Sequence, residues 1–361
     1  MPRSSLRPHH PRARILSEMC AEFGIEPVSD GFDADQVEVT GAVSAADGVE
    51  EGDIYVAAPR WVDAPGEAFA TAVERGASCI LTDASLAPYA EGLDVPVLVV
   101  EDARLALGHI AQWVYRTDPK TPRLIGVTGS LGKTSIVYLL DNLLDALGVK
   151  TGMSTNRQRH VGEERMDAGG LAPEADELHA MLARMREVGV HVAAVELTDE
   201  AVSEHHIAGL YFDVVGYPDA GTALEGGAAA RFEASVQLFA PEHAQRGVVN
   251  VDGEMGRRLV EETRIPVTTI ASAAGEGADW WVESEPLDEG IRFTMHGPED
   301  RELRSWTSQE GPYAAINAGS AVLMLDSAGW DVEQIQAALD RVDGIHLAAE
   351  GSAAPESRGS A

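Results

Sequence analysis

One segment constrains the fold more than any other. A strand-type run over 123–128 leads into Gly129-Ser130-Leu131-Gly132-Lys133-Thr134, followed by an apolar stretch of helical period over 133–147. Strand, glycine-rich turn and helix in direct succession form the unit that carries phosphate loops. Glycines let the backbone wrap close to phosphate oxygens, and amides at the helix N-terminus face the anion. In that reading Gly129, Ser130, Leu131 and Gly132 form the cradle, and Lys133 pairs with the terminal phosphates as the catalytic cation. The Thr134 hydroxyl joins a Mg²⁺ shell. The strict GxxxxGK[ST] spacing is missed, because Val127 stands where the first glycine belongs. A glycine-rich turn with an incidental lysine is therefore the open alternative.

Around this unit short strands alternate with helical patterns. Strands are expected at 191–196, 212–217, 247–251 and 267–270, and helices at 174–188, 231–239 and 254–262. Such alternation implies an α/β fold with a mostly parallel sheet and helices on both faces. Gly148 is placed to end the helix that follows the loop. Runs at 280–284 and 291–296, split by an acidic turn, read as a small antiparallel hairpin with Trp280 and Trp281 in its core. Helices at 314–327 and 332–341 follow. Upstream lies a smaller alternating module, with strands at 37–40, 53–57, 78–82 and 95–100 and a helix at 68–75. The expected organisation is a flexible arm over 1–34, an N-terminal α/β domain over 35–116, a larger α/β domain over 117–345 and a disordered Gly/Ser/Ala-rich tail over 346–361. Residues 116–122 read as the linker.

Composition narrows the partners. The formal charge of −32 repels nucleic acid and anionic lipid, so neither is expected as a partner. No apolar run approaches the ~20 residues of a membrane span. No apolar segment follows the Arg- and Pro-rich first residues, so no secretory signal is read. Cys20 and Cys79 give neither a disulfide framework nor metal spacing, and a cytoplasmic location is expected. Lysine is nearly absent, with only Lys120, Lys133 and Lys150 in the chain.

Several segments together resemble Mur ligases of the tripeptide-synthetase kind. The loop from Gly126 to Ser135 is similar to the family's TGTNGKTT. Gly52-Asp53-Ile54-Tyr55-Val56-Ala57 resembles GDLFVA, and Arg75-Gly76-Ala77 resembles A-x-x-RGA. Ala172-Pro173-Glu174 falls at TTPE and Ala194-Val195-Glu196-Leu197 at MEVSSH. Gly209 to Val214 resembles G-L-x-FDVA, Val248 to Asp252 with Gly256 resembles VINADDxxG, and Tyr313 to Asn317 resembles FNVxN. The order and spacing of these pieces run from about Val37 to Gly344. The resemblance implies a UDP-substrate domain, a central ATP-binding domain and a third domain that brings the amino acid. It implies ATP and Mg²⁺ as cofactors, and an acyl phosphate that an amine converts to an amide. It also makes Glu196 a candidate Mg²⁺ ligand and Asn317 a candidate adenine contact. Each has a plainer alternative, Glu196 as a strand end and Asn317 as a satisfied core amide.

The departures fall on chemistry. Where the family has a metal-bridging carbamylated lysine in AKAxLF, this chain reads Ala234-Ser235-Val236-Gln237-Leu238-Phe239, and no lysine follows Lys150. The TNLxxDHLD segment reads Pro218-Asp219-Ala220-Gly221-Thr222-Ala223-Leu224, without its Asp-His pair. The uridine-side DSR falls at Ala45-Ala46-Asp47. Val342 to His346 stands at VxGRxE, the hinge to the third domain, and only about fifteen residues follow. His205-His206 lacks a third ligand and reads as a solvated helix end. The expectation is a degenerate, truncated homologue that binds ATP without autonomous ligase activity and acts with a partner in cell-wall or specialised-metabolite biosynthesis. The alternative is a working carboxylate–amine ligase that borrows a C-terminal domain, or another Mur-type chain, as its partner.

Overall fold

The computed structural model describes residues 6–29, 31–117, 122–219, 228–275 and 277–345. The chain divides into two compact units. One comprises Met1–Leu124, Ser154–Ala193 and Leu197–Phe212, the other Ile125–Met153, Ala194–Glu196 and Asp213–Ala361. This division differs from the expected boundary at 116/117. Burial supplies the reason. Ala175, Ala180 and Ala183 of the helix Ala175–Glu187 share one apolar cluster with Leu107, Ile110 and Val114 of the helix Ala103–Tyr115. The expected linker core at 118–121, the tail from 346 and the segment 220–224 lie outside the described residues.

The first unit is built on a parallel sheet of Gly41–Val43, Asp53–Ala57, Cys79–Asp83 and Val97–Val100, paired in that order. Side chains alternate across a strand, and the two apolar clusters follow that period. Ile54, Val56, Cys79 and Leu81 pack with the helix Ala103–Tyr115, whereas Tyr55, Ala57 and Ile80 pack with Phe69 and Ala72 of the helix Pro65–Glu74. Asp102 caps the Ala103–Tyr115 helix by accepting from the Arg104 and Leu105 amides.

The stretch expected to be a flexible arm is ordered over much of its length. Arg14–Ile15 pairs antiparallel with Glu38–Val39, and Leu16–Phe23 is a helix closed by Gly24 in the left-handed region. Leu16 and Met19, one turn apart, are fully buried. Arg7 binds the buried Asp53 carboxylate at 2.8 and 2.5 Å, and Glu187 accepts the backbone amides of His9 and His10. A carboxylate out of water needs such a partner, which is what ties the arm down.

The second unit carries most of a larger, 11-stranded sheet, in which Thr151–Ser154, Val192–Glu196, Arg123–Val127, Phe212–Tyr217, Ala244–Asn250, Val267–Ala271, Trp280–Pro286, Ile291–His296 and Glu302–Thr307 follow one another. Phe212–Tyr217 is parallel to Arg123–Val127, and Ala244–Asn250 to Val267–Ala271. The expected hairpin is present and gains a third antiparallel strand, Glu302–Thr307. Trp280 is buried in it, and Trp281 stacks on His296 with centroids 4.0 Å apart. The helix Ala314–Ser327 is buried on nearly all sides, as an all-round apolar helix must be. Gly216 and Gly319 leave the room it needs, since a Cβ at Gly216 would sit 2.5 Å from the Met324 sulfur.

Candidate functional site

The loop grows out of local backbone chemistry. Buried Leu124, Ile125 and Val127 fix the strand Arg123–Val127, and the Thr128 amide extends its pairing by donating to the Gly216 carbonyl. The chain then turns through Gly129 at φ 108° and Gly132 at φ 86°, conformations that a Cβ disfavours. Lys133–Ala146 follows as a helix whose N-cap is Gly132, with no side chain capping it. Its first amides have no partner within the helix. At the far end Gly148 stands at φ 73°, and the Gly148 and Val149 amides donate back to the Asp145 and Leu144 carbonyls.

The expected residues are distributed closely around this turn. Lys133 Nζ donates to the Gly129 carbonyl at 2.6 Å and the Ser130 carbonyl at 3.4 Å. The Thr134 hydroxyl donates to Glu196 Oε2 at 2.8 Å. Glu196 ends the strand Val192–Glu196 and is buried. Asn317 is buried with its Oδ1 against the loop, 2.8 Å from where a Gly132 Cβ would stand. Leu131 is exposed at the tip.

Two further residues join the site that sequence reasoning did not assign to it. The Ser130 amide donates to Asp219 Oδ2 at 3.1 Å. Asp219 is buried just beyond the strand Phe212–Tyr217. Burial first, then the Asp219 charge and a hydrogen bond to it, hold the Tyr217 phenol far above its usual range. Asn250, wholly buried, donates to the Pro218 carbonyl and accepts from the Asp252 amide, which pins the chain next to Asp219. The strand-terminal position of both was the available signal, because open parallel sheets bind ligands at the carboxyl ends of their strands.

Other candidates resolve differently. Ser235 is buried and donates to the Arg231 carbonyl one helical turn back, a bond internal to the helix Ala228–Leu238. His206 corrects the expectation of a solvated helix end. It is buried, with Nε2 3.1 Å from Glu174 Oε2. Among the described residues no group of three or more His, Cys, Asp or Glu is placed to hold a metal, and no helix is long and apolar enough to cross a membrane.

The first unit has its own recess, lined in part by Arg7, Ala42, Ser44, Ala45, Tyr115 and Asp176. Ala45, the first residue of the segment that falls at the family's uridine-side DSR, borders it. Asp176 accepts from the Ser44 amide at 2.8 Å and from its hydroxyl at 3.2 Å. Burial, with the Glu177 charge behind it, raises the Asp176 carboxyl to about 7.

A glycine turn between strand and helix in a mostly parallel α/β sheet is the local architecture in which phosphate-binding loops occur. Comparisons carry this further. The family model of the Mur ligase middle domain matches residues 127–325. The UDP-N-acetylmuramyl-tripeptide synthetase of Leifsonia xyli subsp. xyli is 44% identical over 353 residues, covering 95% of this chain and 67% of the relative. A solved UDP-N-acetylmuramoyl-L-alanyl-D-glutamate--2,6-diaminopimelate ligase aligns with a TM-score of 0.74 at 17% identity, over 92% of this chain and 67% of that one. The MurF ligase of Thermotoga maritima, solved with ADP, aligns at 0.57 and 15% identity, over 82% of this chain and 65% of that one. The chain belongs to the Mur ligase family.

Proposed function

We propose that residues Gly129–Thr134 bind the phosphates of ATP or ADP together with Mg²⁺, and that this homologue does not form amides on its own. The observation that supports nucleotide binding is the turn itself, with its two left-handed glycines, a lysine and a Thr134–Glu196 pair in one place. The ADP complex of the Thermotoga relative agrees with it. A hydroxyl and a carboxylate are hard oxygen donors, a set that suits one Mg²⁺ completed by phosphate oxygens and water. Mg²⁺ there would neutralise phosphate charge.

The limit on ligation rests on Ser235. Phosphorylating a carboxylate requires charge on the transferring group to be neutralised as it meets another anion. The family resemblance assigns a second, lysine-bridged metal to the position of Ser235, whose hydroxyl is engaged within its own helix. Losing one preorganised electrostatic contact costs ~10²–10³ in rate. The peptidoglycan-precursor chemistry of the relatives is the context for any partner. A second reading, a working ligase, is favoured by the Thr134–Glu196 contact.

The test is phosphate release from ATP, with and without candidate amino acids and UDP-muramoyl acceptors. The expected result is slow turnover that neither addition changes. Amino-acid-dependent turnover of ~1 s⁻¹ or more, inside the usual enzyme range, would return the chain to the working ligases.

A further inference from the structure

We propose that Asp219 is a charge gate on the phosphate loop, setting how much negative charge a ligand can bring to Gly129–Thr134. The inference rests on the nucleotide reading above and adds a selectivity that nothing in the family match assigns. Asp219 Oδ2 takes the Ser130 amide at 3.1 Å. That amide lies in the middle of the cradle, so a phosphate oxygen and this carboxylate compete for one donor. The carboxylate has little freedom to retreat. Asp219 is 6% exposed, and the neighbouring Pro218 carbonyl is held by Asn250. The loop's cation is engaged too, since Lys133 Nζ donates to the Gly129 and Ser130 carbonyls.

Two consequences follow from electrostatics. An incoming phosphate must exchange places with a charged acceptor, and it must then sit beside that charge where water screens poorly. A divalent cation on the phosphates reduces the incoming charge and so reduces the second penalty. Asp219 therefore disfavours metal-free nucleotide more than the magnesium complex. An asparagine of the same shape keeps a carbonyl oxygen for the Ser130 amide and removes only the charge.

The experiment is calorimetric titration of the wild type, Asp219→Asn and Lys133→Ala with ADP and with inorganic pyrophosphate, each in excess Mg²⁺ and in EDTA. Asp219→Asn is expected to bind metal-free ADP and pyrophosphate about tenfold tighter, the scale of one charge-assisted contact, while binding of Mg·ADP changes by less than about threefold. A purely structural role would move both alike. Thermal melting confirms the fold of each variant, and Asp219→Ser carries the same comparison should Asp219→Asn fail to fold. Equal or weaker metal-free binding in the folded variant, with wild-type binding measurable and lost in Lys133→Ala, overturns the gate and leaves the nucleotide reading intact. No binding of any ligand by either the wild type or Asp219→Asn overturns the nucleotide reading, and the gate with it.

Discussion

Two buried carboxylates in this chain hold a loop amide in the same way, yet in different surroundings. In the first unit Asp176 takes the Ser44 amide at 2.8 Å and the Ser44 hydroxyl besides. In the second Asp219 takes the Ser130 amide at 3.1 Å. Around Asp176 the nearest basic lining residue, Arg7, is committed to Asp53, and the acidic neighbours Glu177 and Glu174 add to burial in raising its carboxyl to about 7. Around Asp219 the loop carries two left-handed glycines and Lys133. The contrast shows that an amide-bound carboxylate is not a site by itself. Glycines that let another anion approach, and a cation that can meet it, make the difference.

The largest expected effect breaks the contrast if it fails. Lys133→Ala removes the loop's cation and should weaken ATP or ADP binding on the order of 100-fold, the upper range for a charge-assisted contact, by calorimetry at millimolar nucleotide. Unchanged affinity would reduce the loop to a turn like that at Ser44. Next comes Asp176→Asn. The Asp176 carboxyl is raised from 3.8 to about 7 in the folded protein, so folding favours its protonated form. That contribution is complete below the unfolded value and disappears as pH rises through 7. Asp176→Asn should therefore stabilise the first unit by ~2 kcal/mol at pH 8, with the gain vanishing towards pH 4, read from melting curves at both pH values. A gain independent of pH would mean that Asp176 does not titrate as a buried acid. The smallest effect sharpens the geometry. Ser44→Ala removes only the hydroxyl contacts at 3.2 and 3.3 Å and leaves the amide bond. It should cost about 0.5 kcal/mol, by chemical denaturation at pH 6.

The sequence carried the local features and lost the distant ones. The strand Asp53–Ala57 and the helix Lys133–Ala146 are legible because their period shows within a few residues. The strand Glu302–Thr307 is not, because its alternation exposes Glu302 and Arg304 and buries little beyond Leu303 and Thr307. The strand Thr151–Ser154 is too short to show a period and carries a glycine. Helix Leu16–Phe23 hides in a Pro- and Arg-rich context, and only Leu16 and Met19 mark its buried side. At the site, Lys133 and Thr134 announce themselves by motif. Asp219 reaches Ser130 across 89 residues, and Asp176 reaches Ser44 across 132. Those pairings depend on how strands are ordered in a sheet, which no local pattern states.

A buried histidine of the first unit gives Asp176 a counterpart. His179 Nδ1 lies 2.5 Å from the Thr117 hydroxyl and Nε2 lies 2.9 Å from the Ala208 carbonyl, so the neutral ring accepts from one and donates to the other. Burial lowers its pKa from 6.5 to about 4. Between about pH 4 and 6.5 folding thus releases a proton from His179 while it takes one up at Asp176. The two linkages have opposite slopes of about 1.4 kcal/mol per pH unit and nearly cancel. In that window the two groups behave as a zero-sum proton exchange between two points of one core. Removing either group alone would expose the slope of the other.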